Sequence, residues 1–282
     1  MTAAAIDAGL IDGLTDLVSE AAAVILAIGQ STLATRNKPD QSPVTAADDA
    51  SDAVIAKGLS RLLPGVSVIS EETVLRPSLA GGASFALVDP LDGTKEFLAG
   101  NGEYTVNVAL VIDSVPAAGF IAAPARGIIY RGVVGRGAER LALSPGARVG
   151  RAAEVRAIRT RRRAAEGLVA TVSRSHLEPA TEALLRRLPV NSRLTCGSAL
   201  KFCYIADGTA DIYPRLSPTS EWDVAAGHAI ITAAGGVVTA PDGQALSYGR
   251  AAAHFRVPAF VAWGDAAAAD TLRQSPTGLG LA

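Results

Sequence analysis

The chain has 282 residues, more than one hydrophobic core usually holds, so two lobes or one large α/β domain are expected. Apolar residues make up 49% of it, ample for burial, and a formal net charge of −1 with both signs interspersed demands no nucleic-acid or membrane partner. Two cysteines, Cys196 and Cys203, lack a zinc-ligand spacing and imply no disulfide framework, so buried free thiols in a reducing cytoplasm are expected.

Leu14, Leu17, Val18, Ala21, Ile25 and Ile28 recur at helical spacing and predict an amphipathic helix within residues 6–35. The acidic residues Asp7, Asp12, Asp16 and Glu20 stand where a signal peptide would be basic, and the apolar run 21–28 is too short to span a bilayer. A cytoplasmic protein without an integral membrane segment follows, with peripheral contact at the inner membrane left open. Pro39 and Pro43 break the pattern, and a second helix is predicted over 45–63, stopped by Pro64-Gly65. Short strands are predicted at 66–69, ending in Ser70-Glu71-Glu72, and at 84–88, ending at Asp89.

From 104 to 134 the chain reads as an antiparallel meander, with runs at 105–112, 117–122 and 127–134 separated by turn residues. Residues 136–166 are rich in Arg, Ala and Gly and show little periodicity, so a boundary is placed there. An N-terminal α+β lobe (1–150) then precedes a C-terminal α/β lobe (151–282). Six arginines from Arg151 to Arg163 read as a solvated loop or strand edge, the alternative being a weak electrostatic patch for an anionic ligand or surface. Beyond them, strands at 168–172, 193–196, 210–213, 237–239 and 259–263 alternate with helices at 179–187, 199–206, 222–234 and 266–274, an α/β signature.

The densest chemistry lies in Val88-Asp89-Pro90-Leu91-Asp92-Gly93-Thr94-Lys95-Glu96-Phe97. Two carboxylates three residues apart end an apolar run, and a Gly-Thr pair opens a turn or short helix whose N–H groups suit a phosphate. Glu71, Asp89 and Asp92 follow predicted strands and Asp223 opens a predicted helix, places where α/β sites form. If they converge, each like-charged pair near 4 Å costs about 4 kcal/mol at an effective dielectric of 20. Divalent cations remove that cost, and oxygen-only ligation favours Mg²⁺ or Mn²⁺ over zinc. Taken singly, Asp89 and Asp92 could be turn formers, Glu71 a solvated strand end, and Asp223 half of a capping box with Ser220. The Thr94 hydroxyl could orient or deprotonate an attacking water if a carboxylate takes its proton, and Asp40 is the candidate acceptor.

Asp89-Pro90-Leu91-Asp92-Gly93-Thr94 resembles the first signature of the inositol monophosphatase superfamily. Glu221-Trp222-Asp223-Val224-Ala225-Ala226-Gly227 resembles the second, and Glu71-Glu72 the acidic pair between strands. Lys38-Pro39-Asp40-Gln41-Ser42-Pro43-Val44-Thr45, Lys95-Glu96-Phe97, Ser173-Arg174-Ser175-His176 and Gly197-Ser198-Ala199-Leu200-Lys201 resemble the 3′(2′),5′-bisphosphate nucleotidase branch, of CysQ type. Ala199 departs from it, since many relatives carry Ser there. The resemblance implies a layered α-β-α-β-α sandwich and hydrolysis of the 3′-phosphate of adenosine 3′,5′-bisphosphate, a small-molecule substrate, with its sulfated analogue PAPS a further one. It implies two or three Mg²⁺ ions (Mn²⁺ substituting, Li⁺ inhibitory) on Glu71, Asp89, Asp92, Asp223 and the Leu91 carbonyl, with Asp40 and Thr94 activating water. Gly93, Thr94, Ser173, His176, Gly197, Ser198, Lys201 and Arg215 would contact substrate. Both a monomer and a homodimer are compatible with it. The alternatives are another phosphatase of the superfamily, acting on inositol monophosphate or a sugar phosphate, and a non-catalytic metal or nucleotide sensor.

Overall fold

The computed structural model describes residues 6–29, 36–37, 43–73, 83–174 and 178–274. Helix α1 (Ala8–Ile28) is capped by Asp7, whose carboxylate accepts the Leu10 N–H at 2.8 Å. A short antiparallel pair, β1 (Arg36–Asn37) and β2 (Pro43–Val44), leads to α2 (Ala46–Leu62). Thr45 and Asp48 form a capping box at its start. Strand β3 (Ser67–Ser70) runs parallel to β4 (Ser84–Asp92), and the six-residue α3 (Thr94–Ala99) follows β4 directly.

The predicted meander is present and longer than expected. Strands β5 (Thr105–Ile112), β6 (Val115–Ala123), β7 (Ile128–Val133), β8 (Gly137–Ala142) and β9 (Glu154–Ile158) extend β3–β4 into a seven-stranded sheet. Residues 154–158, on the far side of the boundary drawn from the sequence, therefore supply the last strand of the first sheet. Their alternation was hidden because β9 is an exposed edge strand with only Ile158 buried. Five of the arginines between 151 and 163 are exposed there, while Arg161 pairs bidentately with Asp211 at 2.7 Å.

The rest alternates as expected: β10 (Leu168–Ser173), α4 (Pro179–Arg187), β11 (Val190–Cys196), α5 (Leu200–Ala206), β12 (Ile212–Arg215), β13 (Thr219–Ser220), α6 (Glu221–Ala234), β14 (Val237–Thr239), β15 (Arg256–Val257), β16 (Phe260–Trp263) and α7 (Ala266–Gln274). The second sheet has the order β11-β10-β12-β16-β14, and β13 pairs with β15 beside it.

Side-chain alternation on β4 and β5 creates the layers. Ala86, Val88, Val106, Val108 and Leu110 pack on α1 and α2. Phe85, Leu87, Ala109 and Val111 face α5, α6 and the inner residues Tyr213, Phe260 and Ala262 of the second sheet. The outer face of that sheet, with Ala170, Ile212 and Val261, packs on Leu184 and Leu185 of α4 and Ala269 of α7. The order is α-β-α-β-α. Among the described residues, no helix is long and apolar enough to cross a membrane.

Helix α6 lies unusually close to the first sheet. A Cβ on Gly119 of β6 would sit 2.2 Å from the Ala226 carbonyl oxygen, so only glycine permits this approach. Within the same layer the His228 Nδ1 lies 2.9 Å from the Tyr248 hydroxyl, and burial pushes the imidazole pKa down to about 4. Cys196 and Cys203 are buried free thiols.

Candidate metal and phosphate site

A strand of period two would send Asp89 and Asp92 to opposite faces of the sheet. It does not, because the register against β5 shifts between them. Asp89 lies opposite Asn107 and Asp92 opposite Thr105, two residues on β5 answering three on β4. The bulge at Pro90-Leu91 thus turns both carboxylates toward the middle helix layer. The Ser51 hydroxyl on α2 fixes it by donating to the Pro90 carbonyl at 2.7 Å.

Glu71 enters from the end of β3, where its N–H donates to the Val88 carbonyl at 3.1 Å. Asp223 enters from the first turn of α6. It closes a capping box with Ser220, accepting the Ser220 N–H at 3.1 Å and the Thr219 hydroxyl. The capping and ligand readings of Asp223 are therefore compatible. Glu71, Asp89 and Asp223 each offer a carboxylate oxygen, and these oxygens lie within 4.8 Å of one another. Asp92 lies in the same cleft and accepts from Asn107 Nδ2 at 3.2 Å. Burial first, and then the charge of Asp223, push its pKa up to about 6. An all-oxygen donor set of concentrated negative charge fits a hard divalent cation and offers zinc no nitrogen or sulfur ligand. The Leu91 carbonyl, 3.3 Å from the Thr94 hydroxyl, faces the same cleft.

Gly93 holds φ at +90°, which lets the chain pass from β4 into α3 within one residue. That turn delivers the Thr94 hydroxyl to Asp48 Oδ1 at 3.2 Å. The other oxygen of Asp48 accepts the Thr45 N–H at 2.8 Å and the Thr45 hydroxyl at 2.6 Å, which fixes the carboxylate's orientation. Asp40, the acceptor expected from the sequence, lies outside the described residues, and among the described residues the Thr94 hydroxyl meets Asp48. Sequence reasoning stopped at Thr45 and missed it. The available signal was Thr45-x-x-Asp48, which reads as an ordinary helix start.

The cleft has a volume of about 240 Å³, and Gly93, Ser173, Ser198, Lys201 and Arg215 line it together with the carboxylates. Lys201 is almost fully buried; its Nζ donates to the Ser198 carbonyl at 2.5 Å and lies 5.3 Å from the centre of the Tyr213 ring. The buried Nε of Arg215 has no hydrogen-bond partner among the described residues. Gly197 lies behind the wall rather than in it, its N–H donating to Glu103. His176 lies outside the described residues. Lys95 and Glu96, which the sequence offers as marks of the nucleotidase branch rather than as site residues, also line the cleft. A larger cavity of about 610 Å³ opens between α1, the β7–β8 hairpin and the end of α6. Arg131 in it is already paired with Asp12 and Glu139, and among the described residues no metal-binding group of carboxylates forms there.

The chain is 41% identical over 212 residues to the 3′(2′),5′-bisphosphate nucleotidase CysQ of Salmonella typhimurium, covering 75% of this chain and 81% of that one. It is 37% identical over 242 residues to the enzyme of the same name from Escherichia coli K12, covering 85% and 94%. The crystal structure of CysQ from Bacteroides thetaiotaomicron, a bacterial member of the inositol monophosphatase family, superposes with a TM-score of 0.73 at 32% identity, covering 91% and 97%. The sequence model of the Inositol monophosphatase family matches residues 4–274. From the signatures, the layered fold and these matches together, the chain belongs to the inositol monophosphatase family.

Proposed function

We propose that the protein is a Mg²⁺-dependent phosphatase that hydrolyses the 3′-phosphate of adenosine 3′,5′-bisphosphate to AMP and phosphate, with PAPS as a further substrate. The observation that carries this reading is a threonine hydroxyl bonded to an anchored carboxylate at the edge of a carboxylate cluster. Glu71, Asp89, Asp92, Asp223 and the Leu91 carbonyl would hold two or three ions, with Mn²⁺ able to replace Mg²⁺ and Li⁺ inhibitory. Magnesium bound there supplies Lewis-acid chemistry, neutralising phosphoryl oxygens and acidifying water.

The chain's own residues then handle the proton. As water attacks phosphorus in line with the leaving ribose oxygen, its proton passes to Thr94 Oγ1 while the threonine proton passes to Asp48 Oδ1, and the ribose oxygen, as its bond to phosphorus breaks, takes a proton from a solvent water. The hydrogen bonds from Thr45 hold Asp48 ready as that acceptor. Asp40 remains a second candidate for the role, decided by the substitutions below. Backbone N–H groups at Gly93 and Thr94 would meet phosphate oxygens. Ser173, His176, Ser198, Lys201 and Arg215 would meet the rest of the nucleotide, and Gly197 would shape that wall. Lys201 and Arg215, which line the cleft with the carboxylates, favour a substrate with a second anionic group.

The names of the relatives support the nucleotide over inositol phosphate, as do Lys95-Glu96-Phe97 and Lys201. The reaction would clear the by-product of nucleotide-borne sulfate transfer, in the cytoplasm and without nucleic acid as a partner. Phosphate release from adenosine 3′,5′-bisphosphate, PAPS and inositol 1-phosphate, with Mg²⁺ and with added Li⁺, tests the reading. Faster turnover of inositol 1-phosphate would overturn the substrate, and no turnover of any phosphomonoester would leave a metal or nucleotide sensor.

A further inference from the structure

One carboxylate outside the cleft ties its two walls together. Glu103 precedes β5, and its side chain is 12% exposed. Its oxygens accept from Arg174 Nε at 2.7 Å, from Arg174 Nη2 at 2.8 Å and from the Gly197 N–H at 2.9 Å. Arg174 is fixed in turn to the second sheet. Its backbone N–H donates to the Cys196 carbonyl at 3.2 Å and its guanidinium to the Thr195 carbonyl at 3.2 Å. The bond to Arg174 holds the Glu103 carboxyl below its usual range.

The segments joined in this way are in close contact. A Cβ on Gly197 would lie 2.5 Å from Glu96 Cγ and 2.7 Å from the Glu103 carbonyl oxygen, and one on Gly93 would lie 3.3 Å from Ser198 Cβ. Ser198 itself sits at φ +48°, a conformation that an L-residue holds when its surroundings fix it.

We propose that Glu103 is a positioning residue that sets the spacing between the Gly93–Thr94 wall of the cleft and the Ser173–Ser198–Lys201 wall. The inference rests on the bisphosphate reading in one respect, that the substrate must touch both walls. Inorganic phosphate needs only the first. Loss of the tie therefore penalises the nucleotide and spares phosphate.

The test uses Glu103→Gln and, from the other end of the tie, Arg174→Gln, whose 46% exposed side chain makes misfolding a lesser hazard. For adenosine 3′,5′-bisphosphate, KM rises about tenfold while kcat falls less than about threefold. The inhibition constant of inorganic phosphate stays within about twofold. In ligand-free protein, amide hydrogen exchange over residues 195–200 accelerates about tenfold in both variants. An unchanged KM in both, or equal losses for nucleotide and phosphate, overturns the inference, as does unchanged exchange whatever the activity. Accelerated exchange in a protein that does not hydrolyse the nucleotide upholds the tie and removes the bisphosphate reading instead.

Discussion

Thr94 Oγ1 and Asp48 Oδ1 meet at 3.2 Å although 46 residues separate them along the chain. One residue opens a six-residue helix behind the first signature, and the other lies in the first turn of α2. Asp48→Asn is expected to lower kcat by about 100-fold or more, because the amide cannot take the threonine proton. Thr94→Ser, which keeps the hydroxyl, retains most activity, and Thr94→Ala does not. Single-turnover phosphate release measures all three. If Asp40→Asn abolishes turnover and Asp48→Asn leaves it intact, the acceptor is Asp40.

Asp92→Asn is expected to abolish phosphate release and to raise the melting temperature of the metal-free protein. Burial and Asp223 raise this carboxyl to about 6 from an ordinary 3.8, so the folded state binds the proton more tightly than the unfolded one. Stability from this group is therefore lost as pH rises from 3.8 to 6, and at neutral pH the ionised carboxylate opposes folding. The neutral amide removes that opposition. Mg²⁺ should raise the wild-type melting temperature and raise the variant's much less. Thermal scans with and without Mg²⁺ decide it, and an equal metal response in both proteins would take Asp92 out of the ligand set.

His228 predicts the opposite pH sense. Its folded pKa of about 4 lies below the ordinary 6.5, so the unfolded chain gains a proton first as the medium is acidified. Stability is lost between pH 6.5 and 4, by at most about 3 kcal/mol. Urea titrations across that range should show a shallower decline for His228→Gln than for the wild type. Parallel curves would show that the imidazole does not carry the dependence.

Gly119→Ala should destabilise the fold by about 2 kcal/mol or more, since the new methyl would meet the backbone of α6. The same displacement would move Asp223, which α6 carries into the site. Loss of Mg²⁺ affinity should therefore accompany the loss of stability, measured by denaturation and by metal titration. A variant as stable as wild type would mean that helix and sheet can separate at little cost.

Most helices were legible because their apolar positions repeat at 3.6 residues and are buried on one side, as Leu14, Leu17, Val18, Ala21 and Ile25 are. The strands of the meander were legible for the corresponding reason. β8 was not, because it buries only Ala138 and Leu141 among small and charged residues, and β9 was not, because an edge strand that faces solvent needs no apolar alternation. In the site, Glu71, Asp89, Asp92, Thr94 and Asp223 could be singled out by residue type and position, and the structure brings them to one cleft. Asp48 could not, since one carboxylate both caps α2 and receives Thr94, and a helix start alone does not reveal the second partner. Glu103 was equally hidden, because its three bonds reach residues more than 70 positions away.

The extra residue at Pro90-Leu91 makes spacing, more than composition, the diagnostic property of this motif. Deleting either residue would restore the regular pleat, keeping both aspartates on one face but removing the bulge that turns the carbonyl between them into the cleft. Such a protein could still fold, and a composition-based comparison would score it as intact. Counting the positions between the two acids is therefore a sharper screen for inactive homologues than checking that the acids are present.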